Sequence, residues 1–281
     1  MQTGRASKTA LGVAIRRAAH QLMDHPPVLD DPLAVRLVGP GFRRQMKRAT
    51  HPVAGDFRAF MAVRSRYVED RLAEAVRNGV EQYVILGAGL DTFAYRNPFP
   101  SLRVFEVDLP AMQAWKRKML GEAGIALPDS LTFVPMDFER QVLAEGLVEA
   151  GFDHSLPAFF GWMGVVPYLT LTAFRATLES IVQMPKGSGV SFDYALDPET
   201  LGPVGRTAFD VLSSRVAAIG EPFRLFFTAD ELEAELLRAG FHRIEQRDSE
   251  QLNEMYFKDR ADGLRLSGLG LGMLATAWVL G

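Results

Sequence analysis

From Gln82 onward, the chain alternates short apolar runs with longer stretches of helical periodicity. Such runs are typical of parallel strands whose two faces are both buried by crossover helices. The alternation therefore predicts an α/β fold with a Rossmann-like, mostly parallel sheet. The first five predicted strands are Gln82–Leu86, Arg103–Val107, Leu131–Met136, Ala158–Val165 and Gly189–Tyr194.

The C-terminal part of the chain predicts one more helix and two more strands. Thr228 and Glu231 form a capping-box pattern at the start of a short amphipathic helix, and Gly240 stands just beyond its end. The predicted strands Arg243–Asp248 and Met273–Leu280 come next. Because no helix-length apolar pattern separates them, we expect them to pair antiparallel and to add an antiparallel terminal strand to the sheet.

The chain before the sheet has a helical pattern, in which Val68 and Leu72 belong to a four-residue apolar repeat. We expect residues 1–79 to form an N-terminal helical cap of several short helices, which could cover a substrate site. Residues 80–281 would form the Rossmann-like domain, in one structural unit with the cap. An inserted helical segment is expected at about residues 197–227, where the βα rhythm is interrupted.

The composition bears on the class of partner and site. With a net charge of -3 and a pI near 6.0, the chain lacks the basic balance typical of proteins that bind the nucleic-acid backbone, so we expect no nucleic-acid partner. There is no cysteine, which excludes disulfides and thiolate metal sites, and we expect no metal. A small-molecule partner is the default expectation, and the sequence carries no signal for the oligomeric state.

The apolar segments do not resemble targeting or membrane segments. Basic residues interrupt the apolar residues near the N-terminus, which argues against a signal peptide. The longest apolar stretch, Leu266–Leu280, is interrupted by glycines and is too short for a transmembrane helix. We therefore expect no membrane partner and a cytoplasmic location.

The first predicted strand runs directly into a glycine-rich turn, Gly87-Ala88-Gly89. Glycine suits such a turn because a side chain would keep the backbone away from a ligand. We expect a helix after the turn, with an N-terminus that offers unpaired N–H groups to the same ligand. The alternative to a ligand site is a tight turn that binds nothing. The evidence for a ligand site therefore depends on the acidic residues at the ends of the next strands.

Acidic residues stand at the ends of the next two predicted strands. Asp108 comes 19 residues after Gly89, and a carboxylate there can accept hydrogen bonds from both hydroxyls of a ribose. Glu106 shares its face of the strand, but Asp108 lies nearer the carboxyl edge where open α/β sheets bind ligands. Asp137, with Phe138 beside it, could contact an adenine base. A solvated acid or a helix N-cap is the structural alternative.

Several separated motifs carry a resemblance to a known family. They are Arg64–Asp70 (RSRYVED), Val84–Thr92 (VILGAGLDT), Val104–Pro110 (VFEVDLP), Asp137-Phe138 and Trp162–Leu169 (WMGVVPYL). Through them the chain resembles the leucine carboxyl methyltransferase-like family of class I S-adenosylmethionine-dependent methyltransferases, from about residue 55 to residue 195. The resemblance implies a class I methyltransferase sheet and S-adenosyl-L-methionine as the cofactor.

The resemblance also implies roles for individual residues. The glycine turn would line the methionine part of the cofactor, Asp108 would hold the ribose, and Arg64 would bind the carboxylate. Arg66 is an equal candidate for that carboxylate, because the phase of its helix is open. Met163 departs from the family, since many relatives carry a glutamate in this segment near the cofactor's amino group. The implied cofactor-binding residues are Arg64, Gly87, Ala88, Gly89, Asp108, Leu109, Asp137 and Phe138.

The expected reaction is O-methylation of a carboxylate or hydroxyl on a small molecule. Such a displacement depends mainly on positioning, and a carboxylate acceptor needs no general base. None of the five histidines stands in a motif that marks a base, so no catalytic residue is assigned. Candidate acceptor contacts are Tyr168 and Tyr194, which come after strands, and Phe226 in the apolar stretch 223–227. Packing in the core is the alternative for each of them.

Two other functions fit parts of the pattern. An NAD(P)-dependent oxidoreductase also needs a glycine turn and a later acid, although Thr92 stands where the third glycine of its motif would fall. A non-catalytic methyltransferase-like interaction module is the second alternative, because Met163 removes one polar contact. A measurement of which cofactor binds distinguishes the oxidoreductase from a methyltransferase. A measurement of turnover distinguishes the non-catalytic module from a methyltransferase.

Overall fold

The computed structural model describes residues 7–40, 55–137, 140–268 and 272–280 of the chain. Its strands are β1 Gln82–Leu86, β2 Arg103–Asp108, β3 Leu131–Pro135, β4 Ala158–Trp162, β5 Gly189–Tyr194, β6 Arg243–Arg247 and β7 Met273–Trp278. The α-helices are α1 Lys8–Met23, α2 Pro32–Val38, α3 Gly55–Arg77, α4 Pro110–Glu122, α5 Leu143–Glu149, α6 Leu171–Val182, α7 Pro203–Ala218, α8 Ala229–Ala239 and α9 Ser249–Tyr256.

The strands form one seven-stranded sheet in the order β3-β2-β1-β4-β5-β7-β6. Strands β1 to β5 pair in parallel, and β7 lies antiparallel between β5 and β6. The predicted Rossmann-like sheet and its antiparallel final pair are therefore confirmed. A helix that no apolar pattern predicted, the eight-residue α9, lies between the last two strands.

Helices cover both faces of the sheet, which explains the continuous apolar runs. Within β4, Phe159 and Phe160 point to opposite faces and both are buried. Phe160 packs in a core with side chains of α5, α6 and α8. Phe159 packs in a second core with side chains of α3 and with Trp278 of β7. Burial on both faces fixes the sheet between two helical layers.

Helix α8 begins and ends where the sequence predicts. The Thr228 hydroxyl accepts a hydrogen bond from the Glu231 amide (3.1 Å), and the Thr228 amide donates to the Glu231 carboxylate (2.8 Å). Gly240 ends the helix with a φ of 107°, a left-handed conformation that favours glycine. The predicted capping box is confirmed.

The N-terminal helices differ from the expected run of short helices, because α1 has 16 residues and α3 has 23. Buried ion pairs hold them together: Arg17 contacts Asp31 at 2.6 Å, and Arg58 contacts Asp24 at 2.8 Å. The buried His20 accepts a hydrogen bond from the Val28 amide through Nε2 and contacts Asp24 through Nδ1. This histidine therefore holds the helices together and does not face a ligand.

The topology places a crevice at the carboxyl ends of the central strands. Strand order reverses at β1, whose neighbours β2 and β4 leave it toward opposite sides of the sheet. Ligands of open α/β sheets bind at such a point. In the part of the chain that the structure describes, no helix combines the length and apolar character needed to cross a bilayer.

Candidate functional site

A cavity of about 1330 Å³ opens at this crevice. Its floor comes from the loops after β1, β2, β4 and β5, and its walls come from α1, α3 and α7. Pockets for a single small ligand typically have volumes of about 300–1000 Å³. The cavity is therefore large enough for a cofactor and a second ligand side by side.

The glycine turn lies on the floor of the cavity. Gly87 and Gly89 have φ values of 67° and 48°, which L side chains rarely adopt. A Cβ atom on Gly87 would stand 2.4 Å from the Cγ2 atom of Val165, so this glycine is also required by close packing. Gly87, Ala88 and Gly89 all line the cavity, so their predicted contacts with a ligand are compatible with the structure.

The expected helix after the glycine turn is absent, because only the 3₁₀ turn Phe93–Tyr95 comes after it. The amides of Gly87 and Ala88 both donate to the Val107 carbonyl, at 2.8 and 3.1 Å. The Gly89 amide donates to the Asp108 carboxylate at 2.6 Å. The turn therefore offers a tight backbone surface, and its three amides are already occupied by acceptors within the protein.

Asp108 presents a buried carboxylate to the cavity at the end of β2. Its Oδ2 accepts from the Gly89 amide at 2.6 Å, and its Oδ1 accepts from the Leu109 amide at 2.7 Å. Burial raises the pKa of Asp108, although these two amides lower it in part. Each oxygen has a further lone pair, so the carboxylate can still accept two hydrogen bonds from a ligand.

Glu106 does not line the cavity, which agrees with the preference for Asp108. Its carboxylate contacts the Lys116 ammonium of α4 at 2.7 Å, and both side chains are fully buried. Burial raises the pKa of Glu106 to about 7, although Lys116 favours the ionised form. The two acids of β2 thus have separate tasks, because one faces the cavity and the other anchors α4.

Arg64 and Arg66 lie on different sides of α3, so the structure shows which of them can reach a carboxylate in the cavity. Arg64 is buried in the cavity wall, where its Nη1 donates to the Asp193 carboxylate at 2.9 Å. Its Nε is buried and has no hydrogen-bond partner within the described structure. The Arg66 side chain is 47% exposed and pairs with Asp70. Only Arg64 can meet a ligand in the cavity.

Asp193 is a site residue that the sequence pattern did not reveal. It lies at the end of β5, where its carboxylate accepts from Arg64 and from the Gly164 amide at 2.5 Å. An acid within a buried strand, beside the predicted contact Tyr194, was the available signal. Met163 lies nearby in the cavity wall and packs against apolar side chains, so it supplies no charge. Asp193 places a carboxylate in this corner of the cavity.

Asp137 also lines the cavity, after β3. Its amide donates to the Gln141 side chain at 2.9 Å, and its carbonyl accepts from the Gln141 amide at 2.8 Å. These bonds fix the loop at the edge of the cavity beyond Asp108. Phe138, the other predicted adenine contact, lies outside the described residues.

The three predicted acceptor contacts have different positions. Tyr168 lines the cavity, and burial raises its pKa to about 12, so its hydroxyl stays protonated at neutral pH. Tyr194 also lines the cavity, and its hydroxyl donates to the side-chain Oε1 of Gln246 at 2.5 Å. Phe226 does not line the cavity, and its ring packs edge-on against Phe209. Tyr168 and Tyr194 therefore lie in the cavity wall, whereas the expectation for Phe226 is not met.

Phe223 occupies the place expected for Phe226. It lines the cavity and its ring lies 5.2 Å from that of Tyr168, measured between centroids. Leu225 and Phe227, from the same apolar stretch, are buried in the core. The sequence could not separate these side chains, because the segment is irregular and has no fixed two-residue alternation of faces.

The chain matches known proteins in both sequence and fold. The sequence profile of the leucine carboxyl methyltransferase family matches residues 10–182. YktD of Bacillus subtilis (strain 168), which carries the name of an S-adenosyl-L-methionine-dependent methyltransferase, is 32% identical over 94% of this chain and 95% of its own. A protein of Mycobacterium marinum with the same kind of name is 32% identical over 80% of this chain and 77% of its own.

Two solved structures share the fold at low sequence identity. A DUF574 family protein from Streptomyces avermitilis has a TM-score of 0.61 and 17% identity, and the match covers 98% of each chain. A protein from Thermobifida fusca that carries the name of a methyltransferase has a TM-score of 0.57 and 18% identity, with 96% of this chain and 94% of its own covered. At this identity, the likeness concerns the fold alone.

The residues of the cavity fit the cofactor that these relatives share. A sulfonium nucleoside of this kind needs acceptors for two ribose hydroxyls and a cation for its carboxylate, and Asp108 and the unpartnered Nε of Arg64 are such groups. The family match and the relatives support this cofactor over a nicotinamide. The chain therefore belongs to the leucine carboxyl methyltransferase family and is a methyltransferase that uses S-adenosyl-L-methionine.

Proposed function

We propose that the protein transfers the methyl group to an oxygen, a carboxylate or a hydroxyl, of a small molecule. The observation that carries this proposal is one cavity with two chemically different parts. Charged and polar side chains collect beside the sheet, whereas apolar side chains of α7 and the loop before α8 line the other part. The polar part suits the cofactor, and the apolar part suits an acceptor with an apolar body.

The cofactor's nucleoside would lie against β2 and β3. Asp108 would accept hydrogen bonds from the ribose hydroxyls with the lone pairs that its two backbone contacts leave free. Asp137 would contact the adenine amino group from the loop after β3. In this arrangement, Gly87 and Gly89 allow the chain to approach the ligand without an intervening side chain.

The amino-acid end of the cofactor would lie between α3 and β5. Arg64 would bind the carboxylate, because its buried Nε is an unsatisfied donor in the cavity wall. Asp193 would contact the ammonium group and thereby take the part that a glutamate near Met163 has in many relatives. Its bonds to Arg64 and to the Gly164 amide hold the carboxylate in place for this contact.

The chain's contribution to the reaction is positioning and shielding. When bound, the cofactor supplies an electrophilic methyl group on a sulfonium. The described cavity lining contains no histidine, and Tyr168, with a pKa near 12, stays protonated at neutral pH. Tyr168 can therefore donate a hydrogen bond that orients an acceptor, but it is a poor general base. This arrangement suits an oxygen that is already ionised or readily ionised.

A transfer assay with labelled S-adenosylmethionine tests the proposal. Matched panels of aromatic and alkyl carboxylates, phenols, amines and thiols would be incubated with the full chain, and the products separated before and after mild alkali. We expect label in oxygen-containing acceptors, lost in alkali from esters and retained in phenol ethers. Transfer restricted to amines or thiols would contradict O-methylation. A variant with Asp108→Asn is the matched control for background transfer.

A further inference from the structure

Two arginines line the cavity from two different helices. Arg16 lies on α1, and Arg215 lies in the last turn of α7. The Arg16 guanidinium stacks 4.6 Å from the centroid of the Phe57 ring, and its Nη1 donates to the Gly12 carbonyl of its own helix. Its Nε is buried without a hydrogen-bond partner in the described structure. Arg16 is therefore held in place with unused donor capacity.

The other arginines of this cavity are neutralised, whereas these two are not. Arg17 pairs with Asp31, and Arg64 pairs with Asp193. Within the described structure, no carboxylate lies within ion-pair distance of Arg16 or Arg215. Glu221 also lines the cavity but forms no ion pair with either arginine in the described structure, and Asp56 accepts hydrogen bonds from Ser267.

The undescribed ranges supply few candidates for a missing partner. By sequence, residues 1–6, 41–54, 138–139, 269–271 and 281 contain a single acidic side chain, that of Glu139, two positions after Asp137. The rest of those ranges adds only neutral and basic residues. The chain thus has little internal means to neutralise the two arginines.

Two like charges that face one partly desolvated space repel each other unless an anion lies between them. Burial lowers the pKa of Arg16, and the charge of Arg215 lowers it further. A bound anion would remove this repulsion and would use the free donors of the guanidinium groups. Like charges brought together at a cavity are typical of a binding site.

The surface around the two arginines is apolar and open. On α7 and just after it, Val204, Val211 and Ile219 line the cavity and are 69%, 48% and 39% exposed. Phe223 and Tyr168 add aromatic surface on the same side. An anion bound here would therefore belong to a molecule with an apolar body that covers these side chains.

We propose that Arg16 and Arg215 bind the carboxylate of an amphipathic methyl acceptor, and that this carboxylate is a different group from the methylated oxygen. This inference rests on the proposed O-methyl transfer. Arg16 stands six residues after Ala10, the α1 residue that faces Gly89, which places its Cα about 9 Å farther along the helix. The anchored group would then lie about one small-molecule length from the glycine turn.

The charge balance of the reaction supports the separation of the two groups. Methyl transfer joins a positive donor to a nucleophilic oxygen, so an anionic oxygen loses its charge as the new C–O bond forms and the S–C bond breaks. Two guanidinium groups on that oxygen would stabilise the ground state more than the transition state and would slow transfer. On a distant carboxylate, they stabilise both states equally and contribute to binding alone.

Fluorescence anisotropy with two matched probes tests the inference. The probes are 1-pyrenebutyrate, an apolar carboxylate, and 1-pyrenebutanol, which has the same body without the charge. We expect the protein saturated with S-adenosylhomocysteine to prefer the carboxylate. The variant R16Q should weaken its binding about tenfold, and R215Q about threefold because Arg215 is more exposed. Binding of the alcohol should change less than twofold in both variants.

The control variant is R206Q, on the same helix as Arg215 but outside the cavity, which should leave both affinities unchanged. Loss of both probes to the same extent in R16Q, or no preference of the natural sequence for the carboxylate, would overturn the proposal. Calorimetry with S-adenosylhomocysteine on the same samples distinguishes a failure of the proposed methyl transfer from a failure of the arginine site. If the cofactor site is wrong, the calorimetry will show no binding of S-adenosylhomocysteine.

The position of the anion is tested by exchanging the cofactor. A carboxylate beside the sulfonium would bind far more tightly with S-adenosylmethionine than with S-adenosylhomocysteine, whose sulfur carries no charge, because opposite charges at about 4 Å interact strongly in a partly buried site. At the distance proposed, we expect the affinity for 1-pyrenebutyrate to rise less than tenfold. A larger rise would show that the carboxylate occupies the reactive centre and would contradict the separation.

Discussion

Asp108 is the residue on which the placement of the nucleoside depends. Replacement by asparagine keeps the side-chain volume but removes the charge and one acceptor oxygen. Because hydrogen bonds to a charged group contribute roughly 1.5–3 kcal/mol, we expect Asp108→Asn to weaken binding of S-adenosylhomocysteine about ten- to a hundredfold. Isothermal titration calorimetry measures this change directly.

The same variant should also weaken binding of 5′-methylthioadenosine, which keeps the ribose and adenine but lacks the amino-acid end. Asp153→Asn is the matched control, since this acid precedes β4 at the opposite edge of the sheet. Equal affinities for Asp108→Asn and the natural sequence would remove Asp108 from the site.

Arg64 and Arg66 allow a paired test of the amino-acid end. Arg64 is buried in the cavity wall, and Arg66 is exposed two residues later on the same helix. We expect Arg64→Gln to weaken S-adenosylhomocysteine binding at least tenfold and to leave 5′-methylthioadenosine binding within about twofold, because only the first ligand has a carboxylate. Arg66→Gln should change neither affinity. A loss for both ligands in Arg64→Gln would point to a structural role instead.

Strand-end residues were the predictable part of the site. Asp108 and Asp137 could be identified because the carboxyl ends of parallel strands meet at one edge of the sheet. Asp193 obeys the same rule but stands in a buried run of core residues, where the sequence pointed only to its neighbour Tyr194. Phe223 was confused with Phe226 because side-chain direction in an irregular segment depends on backbone angles that no periodic pattern encodes.

The turn after β1 is an element whose sequence is fixed by sterics. Gly87 has a φ of 67°, and a Cβ there would stand 2.4 Å from Val165. We expect Gly87→Ala to cost on the order of 1–3 kcal/mol from the backbone conformation alone, with more from the contact. Thermal unfolding should show a lowered Tm.

A second variant separates the two causes. Gly87→Ala combined with Val165→Ala removes the close contact but keeps the unfavourable φ. Relative to Val165→Ala alone, the added glycine change should then cost less than it does in the natural background. Equal costs in the two backgrounds would show that the contact with Val165 contributes nothing.

The buried pair between β2 and α4 gives the fold a pH dependence. Burial raises the pKa of Glu106 from 4.5 to about 7, so the folded protein holds a proton that the unfolded chain has already released. Stability from this group is therefore fully present below pH 4.5 and is lost as the pH rises through 7. The loss between about pH 5 and about pH 7.5 should be on the order of 2 kcal/mol.

Urea unfolding of Glu106→Gln checks this prediction. The glutamine keeps the neutral state at all pH values, so the variant should lose less stability than the natural sequence between about pH 5 and about pH 7.5. The buried Lys116 stays in place in both proteins. An identical pH dependence in the two proteins would assign the effect to other groups.

At the scale of elements, periodic patterns predicted the strands and the helix α8. Continuous apolar runs identified the parallel strands because both faces of the sheet are buried, and the capping box of α8 identified its first turn. The short helix α9 was missed because its eight residues bury only Leu252, which is too little for a visible repeat. The 3₁₀ turn after Gly89 was mistaken for a helix start by analogy with glycine turns in general.

At the scale of the whole molecule, the cavity combines distant parts of the chain. The sheet supplies a floor with acids and glycines in fixed places, whereas α1, α3 and α7 supply the walls. The floor is a consequence of the topology and could be predicted. The walls depend on how helices pack over the sheet, and for this reason the acceptor part and the pair Arg16 and Arg215 were not visible in the sequence.

The measurement that tests the assigned cofactor site most directly is a crystal structure of the full chain with S-adenosylhomocysteine. We expect the ribose hydroxyls within hydrogen-bond distance of the Asp108 carboxylate and the carboxylate of the ligand against Arg64. The sulfur would face the apolar part of the cavity, which stays open beside α7. A ligand bound outside this cavity, or with its amino-acid end away from Arg64 and Asp193, would contradict the assignment.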